Sequence, residues 1–205
     1  MKKCIYDLLT RLVGYDSIGF DLDDTLYQQN DYDKAVYQSY FLEKFGGDRG
    51  RSLSDKLIRK KKNLPKGYPH LFDDFAAEEK IDLDVAELLN YYRNPPRLDL
   101  RDKFIMEEVV IKLKNCKKFL FICTNGHKTT QINKIVSLGL DQIIDNIYIL
   151  SPEDGCPLKP SPAIKETIPL VGKTIFLGDQ DIDEQFAANC SFDFIRIKIE
   201  DYVQR

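Results

Sequence analysis

The stretch "SIGFDLDDTLYQQN", from Ser17 to Asn30, decides how the chain reads. Four uncharged residues, "SIGF", run straight into aspartates at positions 21, 23 and 24. A short apolar run ended by polar residues reads as a buried strand. Carboxylates this close repel one another, so they either face water or hold something positive among them.

Working outward, Ile5, Leu8, Leu9 and Leu12 recur at helical spacing and predict a short amphipathic helix before the strand. The start is basic but meets Asp7 and Arg11 before any long apolar run, unlike a signal peptide. No stretch approaches the roughly 20 apolar residues that span a bilayer. After the strand, residues 28–103 are rich in charge and helical in period. In "YDKAVYQSYFLEKF", Tyr37, Phe41 and Phe45 recur every four residues. "AEEKIDLDVAELLNYYR" reads as helix until "NPP" breaks it.

From residue 104 the pattern changes. "FIMEEVVIKLKN" reads as helix, "KFLFICT" as strand and "TTQINKIVSLGL" as helix. "NIYIL" reads as strand, "SPAIKETI" as a short helix and "TIFLGD" as strand. "DEQFAAN" reads as helix and "FDFIRIK" as a last strand. Strands alternating with helices predict an α/β fold, a doubly wound parallel sheet with helices on both faces. The expected organisation is a core of residues 1–27 and 104–205, with 28–103 as a small α-helical insertion.

The 205 residues carry a net charge of −3, with 43% hydrophobic and 31% charged side chains. That balance lacks the basic excess that nucleic acid demands. Five cysteines without a CxxC pair argue against a disulfide framework or a zinc site and point to reduced thiols in a cytoplasm.

In open parallel sheets, ligands bind beyond the carboxyl ends of the strands, near the point where strand order reverses. Four predicted strands deliver polar groups there. The first gives Asp21, Asp23 and Thr25, the second Thr124, Asn125 and Gly126. The third is followed by "SPEDGCPLKP" with Lys159, and the fourth by "GDQDID" with Asp179, Asp181 and Asp183. Converging carboxylates need a cation, and oxygen-only ligands suit magnesium. A hydroxyl with N–H groups at a helix start suits a phosphate, and a lysine offers a compact charge to a phosphoryl oxygen. An aspartate kept ionised by such neighbours can attack phosphorus. A second carboxyl two residues on can protonate the leaving oxygen and then deprotonate a water.

"DLDDTL", "CTNG", the lysine of "LKPSP" and "GDQDID" occur in the order and spacing of the haloacid dehalogenase-like hydrolase superfamily, which the chain resembles over residues 15–26 and 104–200. The resemblance implies a helical cap at 28–103. It implies Asp21 as nucleophile and Asp23 as general acid/base. It implies Mg2+ held by Asp21, the Asp23 carbonyl and Asp179, with Asp183 as an outer or direct partner. Thr124, Asn125 and Gly126 would hold the phosphoryl group, and Lys159 would orient Asp21 and offset developing charge. Arg93 and Arg97, flanking "NPP", are candidates for a substrate anion.

The expected activity is hydrolysis of a small phosphorylated metabolite, with neither nucleic acid nor membrane as partner. A phosphotransferase or mutase of the same superfamily differs only in what accepts the phosphoryl group. A dehalogenase is disfavoured, because that branch lacks an acid at the position of Asp23. A phospho-aspartate receiver is the alternative from another class, although its phosphoacceptor follows the third strand. Asp24 reads as a solvated or helix-capping residue, and Asp181 as one that either supports the metal ligands from behind or caps the loop. Thr25 is expected to fix the turn by a side-chain hydrogen bond, and Lys159 is favoured over Lys165. His127 reads as a helix start, His70 as structural or exposed, and "RKKK" (59–62) as a solvated face. Tyr27 and Gln28 are expected to line the cleft, and little is expected of Gln180.

Overall fold

The computed structural model of the protein describes residues 2–65, 68–96 and 98–203. The chain divides into two compact units, one of residues up to Gln29 and from Asp99 onward, the other Asn30–Leu98.

The first unit begins with α1 (Lys2–Leu12), which buries Ile5, Leu8 and Leu12 as their spacing predicts. β1 (Ser17–Phe20) is the "SIGF" run, buried at every residue. A Cβ on Gly19 would stand 2.3 Å from the Phe121 ring and 2.6 Å from that of Phe176. Those two phenylalanines are the direct cross-strand partners of Gly19, so two rings close over the gap that the glycine leaves.

The second unit is helical: α2 (Gln29–Phe45), α3 (Gly47–Lys62), α4 (Leu71–Glu79) and α5 (Val85–Arg93). Tyr37, Phe41, Leu57, Phe75 and Leu88 are central to its core, and the Phe41 and Phe45 rings stack. "AEEKIDLDVAELLNYYR" is not one helix. Lys80 turns left-handed at φ 51°, and the Ile81 N–H returns to the Ala76 carbonyl, which closes α4. Asp84 then accepts the Glu87 N–H at 2.9 Å and opens α5. Local capping outweighs the continuous period. "RKKK" is also more than a solvated face. Lys60 pairs with Glu78, and Lys61 reaches the buried Asp33 at 2.5 Å.

The first unit resumes with α6 (Glu107–Asn115), β2 (Phe119–Asn125), α7 (Lys128–Ser137) and β3 (Asn146–Leu150). β4 (Thr174–Gly178), α8 (Asp181–Cys190) and β5 (Asp193–Arg196) follow. "SPAIKETI" forms 3-10 rather than α-helical turns. The five strands pair in parallel in the order β3-β2-β1-β4-β5. Phospho-aspartate receivers have the order 2-1-3-4-5, so this sheet is not theirs. Among the described residues, no helix is long and apolar enough to cross a membrane.

β1 and β4 are neighbours, yet the chain leaves β1 toward β2 and leaves β4 toward β5. Their carboxyl ends therefore flank the switch point where ligands bind in such sheets.

Candidate active site

Asp21 follows β1 directly, and its N–H continues the ladder by donating to the Leu177 carbonyl at 2.8 Å. Asp179 follows β4, and Asp183 lies in the first turn of α8. One carboxylate oxygen from each of Asp21, Asp179 and Asp183 lies within 4.8 Å of the other two. Lys159 joins this trio from the loop after β3. Its Nζ donates to Asp21 Oδ1 and to Asp183 Oδ1, each at 2.6 Å, with the lysine side chain only 2% exposed. Lys165 instead lies 5.8 Å from the Phe192 ring centroid.

Two devices fix Asp183. Its Oδ2 accepts the Gln180 N–H at 3.0 Å while the Gln180 side chain accepts the Asp183 N–H, a reciprocal cap on α8. Gln180 thus has a positioning role that its residue type alone did not announce. At Gly178, a Cβ would lie 2.4 Å from the Asp183 Cβ, so glycine lets helix and strand meet this closely.

The Asn125 side chain and the Gly126 N–H are both engaged by other parts of the unit. Asn125 Oδ1 accepts the Lys159 N–H at 2.9 Å and its Nδ2 donates to the Lys159 carbonyl at 3.3 Å, so this side chain clamps the lysine loop. The Gly126 N–H donates to the Leu150 carbonyl at 3.0 Å and is already used. Thr124 Oγ1 accepts from Gln131 Nε2 at 2.9 Å, which leaves its own hydroxyl proton to donate.

Asp23 faces a second lysine. Lys134 Nζ donates to both of its carboxylate oxygens, at 2.9 and 2.8 Å. Tyr27 OH donates to Oδ1 at 2.6 Å and Gln131 Nε2 to Oδ2 at 3.2 Å. Lys134 and Gln131 escaped the sequence reading. They lie three apart on a helix that was legible, but nothing along the chain tied that face to Asp23, 111 residues from Lys134. Tyr27 is fully buried, with its OH on Asp23.

The electrostatics separate the two aspartates. Burial pushes the Asp21 carboxyl up to about 7; Lys159 opposes this and Asp183 reinforces it. Burial would also raise Asp23, but the Lys134 charge and the hydrogen bonds from Lys134, Tyr27 and Gln131 hold it below its ordinary value. Lys159 is buried too, yet Asp21 and Asp183 together raise its affinity for its proton.

The remaining residues have narrower roles. Asp24 takes a left-handed backbone at φ 57° and its Oδ1 accepts the Gln29 N–H at the start of α2. Asp181 pairs with Arg196 at 2.8 Å. Thr25 Oγ1 is buried and makes no hydrogen bond to the described residues, so the turn is not held as expected. Backbone geometry and the Asp24 carboxylate shape it instead. His127 precedes α7 and its Nε2 lies 2.5 Å from Glu153, while His70 is exposed at the start of α4. Arg93 is exposed in the last turn of α5, within the helical unit. Arg97 lies outside the described residues.

A sequence model for haloacid dehalogenase-like hydrolases matches residues 18–197. The chain belongs to that family. A search of the curated proteins gave no match. Solved haloacid dehalogenase-like structures share the fold at low identity. YfnB of Bacillus subtilis, provisionally described as a HAD-hydrolase and crystallised with magnesium, is 18% identical with a TM-score of 0.65, over 89% of this chain and 86% of that one. L-2-haloacid dehalogenase of Xanthobacter autotrophicus, with chloropropionic acid covalently bound, is 15% identical with a TM-score of 0.56, over 89% and 77%. A Clostridium difficile protein provisionally described as a phosphatase is 21% identical with a TM-score of 0.54, over 90% and 86%. Within a haloacid dehalogenase-like hydrolase, the Asp21–Asp179–Asp183 trio offers oxygen donors alone, the chemistry that suits a hard divalent cation such as Mg2+.

Proposed function

We propose that the protein is a magnesium-dependent phosphatase that hydrolyses a small phosphate monoester through an aspartyl-phosphate on Asp21. The observation that carries this reading is the pairing of Asp21 with the buried Lys159, beside two further carboxylates. In the first step an Asp21 oxygen attacks phosphorus, the bond from phosphorus to the leaving oxygen breaks, and Asp23 gives that oxygen the proton it took from water in the preceding turnover, loosening one of its hydrogen bonds to carry it. In the second step a water oxygen attacks phosphorus, the bond to Asp21 breaks, and the water's proton passes to Asp23. Lys159 holds Asp21 on line and offsets negative charge, and the Thr124 hydroxyl donates to a phosphoryl oxygen. Asp21, Asp179 and Asp183, with the Asp23 carbonyl, would hold Mg2+, which would supply charge neutralisation at the phosphoryl group.

Asp23 argues for phosphorus over carbon chemistry, since halide is a good leaving group and needs no proton donor. In this reading the helical unit serves as the cap, Arg93 and Arg97 are substrate-anion contacts, the substrate is a small phosphorylated metabolite, and the setting is cytoplasmic. With 4-nitrophenyl phosphate the purified protein should release phosphate in magnesium, stop on addition of EDTA, and resume when magnesium is restored. Halide release from a 2-haloacid without any phosphate release would contradict the proposal.

A further inference from the structure

The carboxylate of Asp23 is fully subscribed. Oδ1 accepts from Tyr27 OH and Lys134 Nζ, and Oδ2 from Lys134 Nζ and Gln131 Nε2. Four hydrogen bonds match the roughly four lone-pair sites of a carboxylate. The Lys134 side chain is 4% exposed and that of Asp23 16%, so this pair is not a surface ion pair that water screens away. A buried lysine is costly unless paired, and this one pairs with Asp23.

We propose that Lys134 is a positioning residue for Asp23, holding its carboxylate at the angle from which it exchanges a proton with the leaving oxygen. The inference rests on the phosphatase reading of the site. Gln131 extends the same device. Its amide reaches Asp23 Oδ2, Thr124 Oγ1 at 2.9 Å and the Asn125 carbonyl at 3.3 Å, so the orientation of the acid/base is tied to the end of β2. Two helical residues three apart, Gln131 and Lys134, present this arrangement from one face of α7. To take or give a proton, Asp23 must release at least one of its four partners. Lys134 touches both oxygens, so it retains a hold on either one while the other works.

The test compares two aryl phosphates that differ in how much they need an acid. Phenyl phosphate leaves as a basic phenolate and needs a proton, whereas 2,4-dinitrophenyl phosphate leaves readily without one. In Lys134→Met the ratio of kcat for phenyl phosphate to kcat for 2,4-dinitrophenyl phosphate should fall by about tenfold or more, part of the 10²–10⁴ that general acid catalysis supplies. Lys134→Arg should recover most of that ratio. An unchanged ratio, with both substrates slowed alike or neither slowed, would overturn the proposal, because a merely structural lysine affects both equally. If the wild type hydrolyses neither substrate, the failure belongs to the phosphatase reading. The pairing is then read by thermal denaturation of Lys134→Met, Asp23→Asn and the double variant. Strongly non-additive effects support the proposed hold on Asp23, and additive effects overturn it.

Discussion

Asp21→Asn should lower magnesium-dependent phosphate release by about a thousandfold or more while leaving the fold intact. The carboxamide is nearly isosteric but cannot attack phosphorus, and losing a nucleophile costs catalysis on this scale. The variant also makes a prediction about stability. In the metal-free protein burial lifts the Asp21 carboxyl from 3.8 to about 7. Between those values the folded state holds a proton that the unfolded state has released. Stability from this group is therefore present below about pH 4 and is lost as pH rises through 7. Asparagine has no such proton to lose. The difference in Tm between metal-free Asp21→Asn and wild type should therefore shift in favour of the variant from pH 5 to pH 8. A shift in the opposite direction would mean that Asp21 is stabilised as an anion even without metal.

Lys159→Met should produce the largest loss of stability. The substitution keeps most of the side-chain volume but leaves Asp21 and Asp183 facing each other without the cation that both contact at 2.6 Å. Removing one partner of a buried ion pair costs about 3–5 kcal/mol, most of it from the charge left behind. Asp21, whose carboxyl burial already pushes up to about 7, can escape that cost by binding a proton. The loss should therefore be greatest near pH 8 and shrink toward pH 5, as urea denaturation at the two values can measure. Magnesium offers another escape, so it should raise the Tm of Lys159→Met by more than it raises that of the wild type. A variant as stable as wild type at pH 8 would show that Lys159 is not the counter-charge of the site.

These expectations also mark what the chain discloses along its length. β1, β2 and β4 announced themselves as apolar runs because both faces of a central parallel strand are buried, and the polar residues just past them marked one edge of the sheet. Asp21, Lys159 and Asp183 were visible in that way, each beside its own punctuation. The clamp on Lys159 was not. The place of Asn125 beside Thr124 says nothing of the loop 34 residues on that its side chain holds. Lys134 read as one more polar residue on an amphipathic helix. Its importance arises only when α7 brings it to Asp23. The break at Lys80–Asp84 was hidden for the opposite reason: the apolar period ran on through it, and two capping interactions overrode the period locally.

The most direct measurement is of Asp21 itself. The Asp23→Asn variant, slowed in the second step because it cannot take the water's proton, is mixed with 2,4-dinitrophenyl phosphate and magnesium, quenched in acid, digested and analysed by mass spectrometry. The mechanism predicts one phosphoryl group on the peptide that carries Asp21, with none when Asp21 is also replaced by asparagine. Phosphate release without any phosphorylated peptide, or a phosphoryl group on another residue, would contradict it.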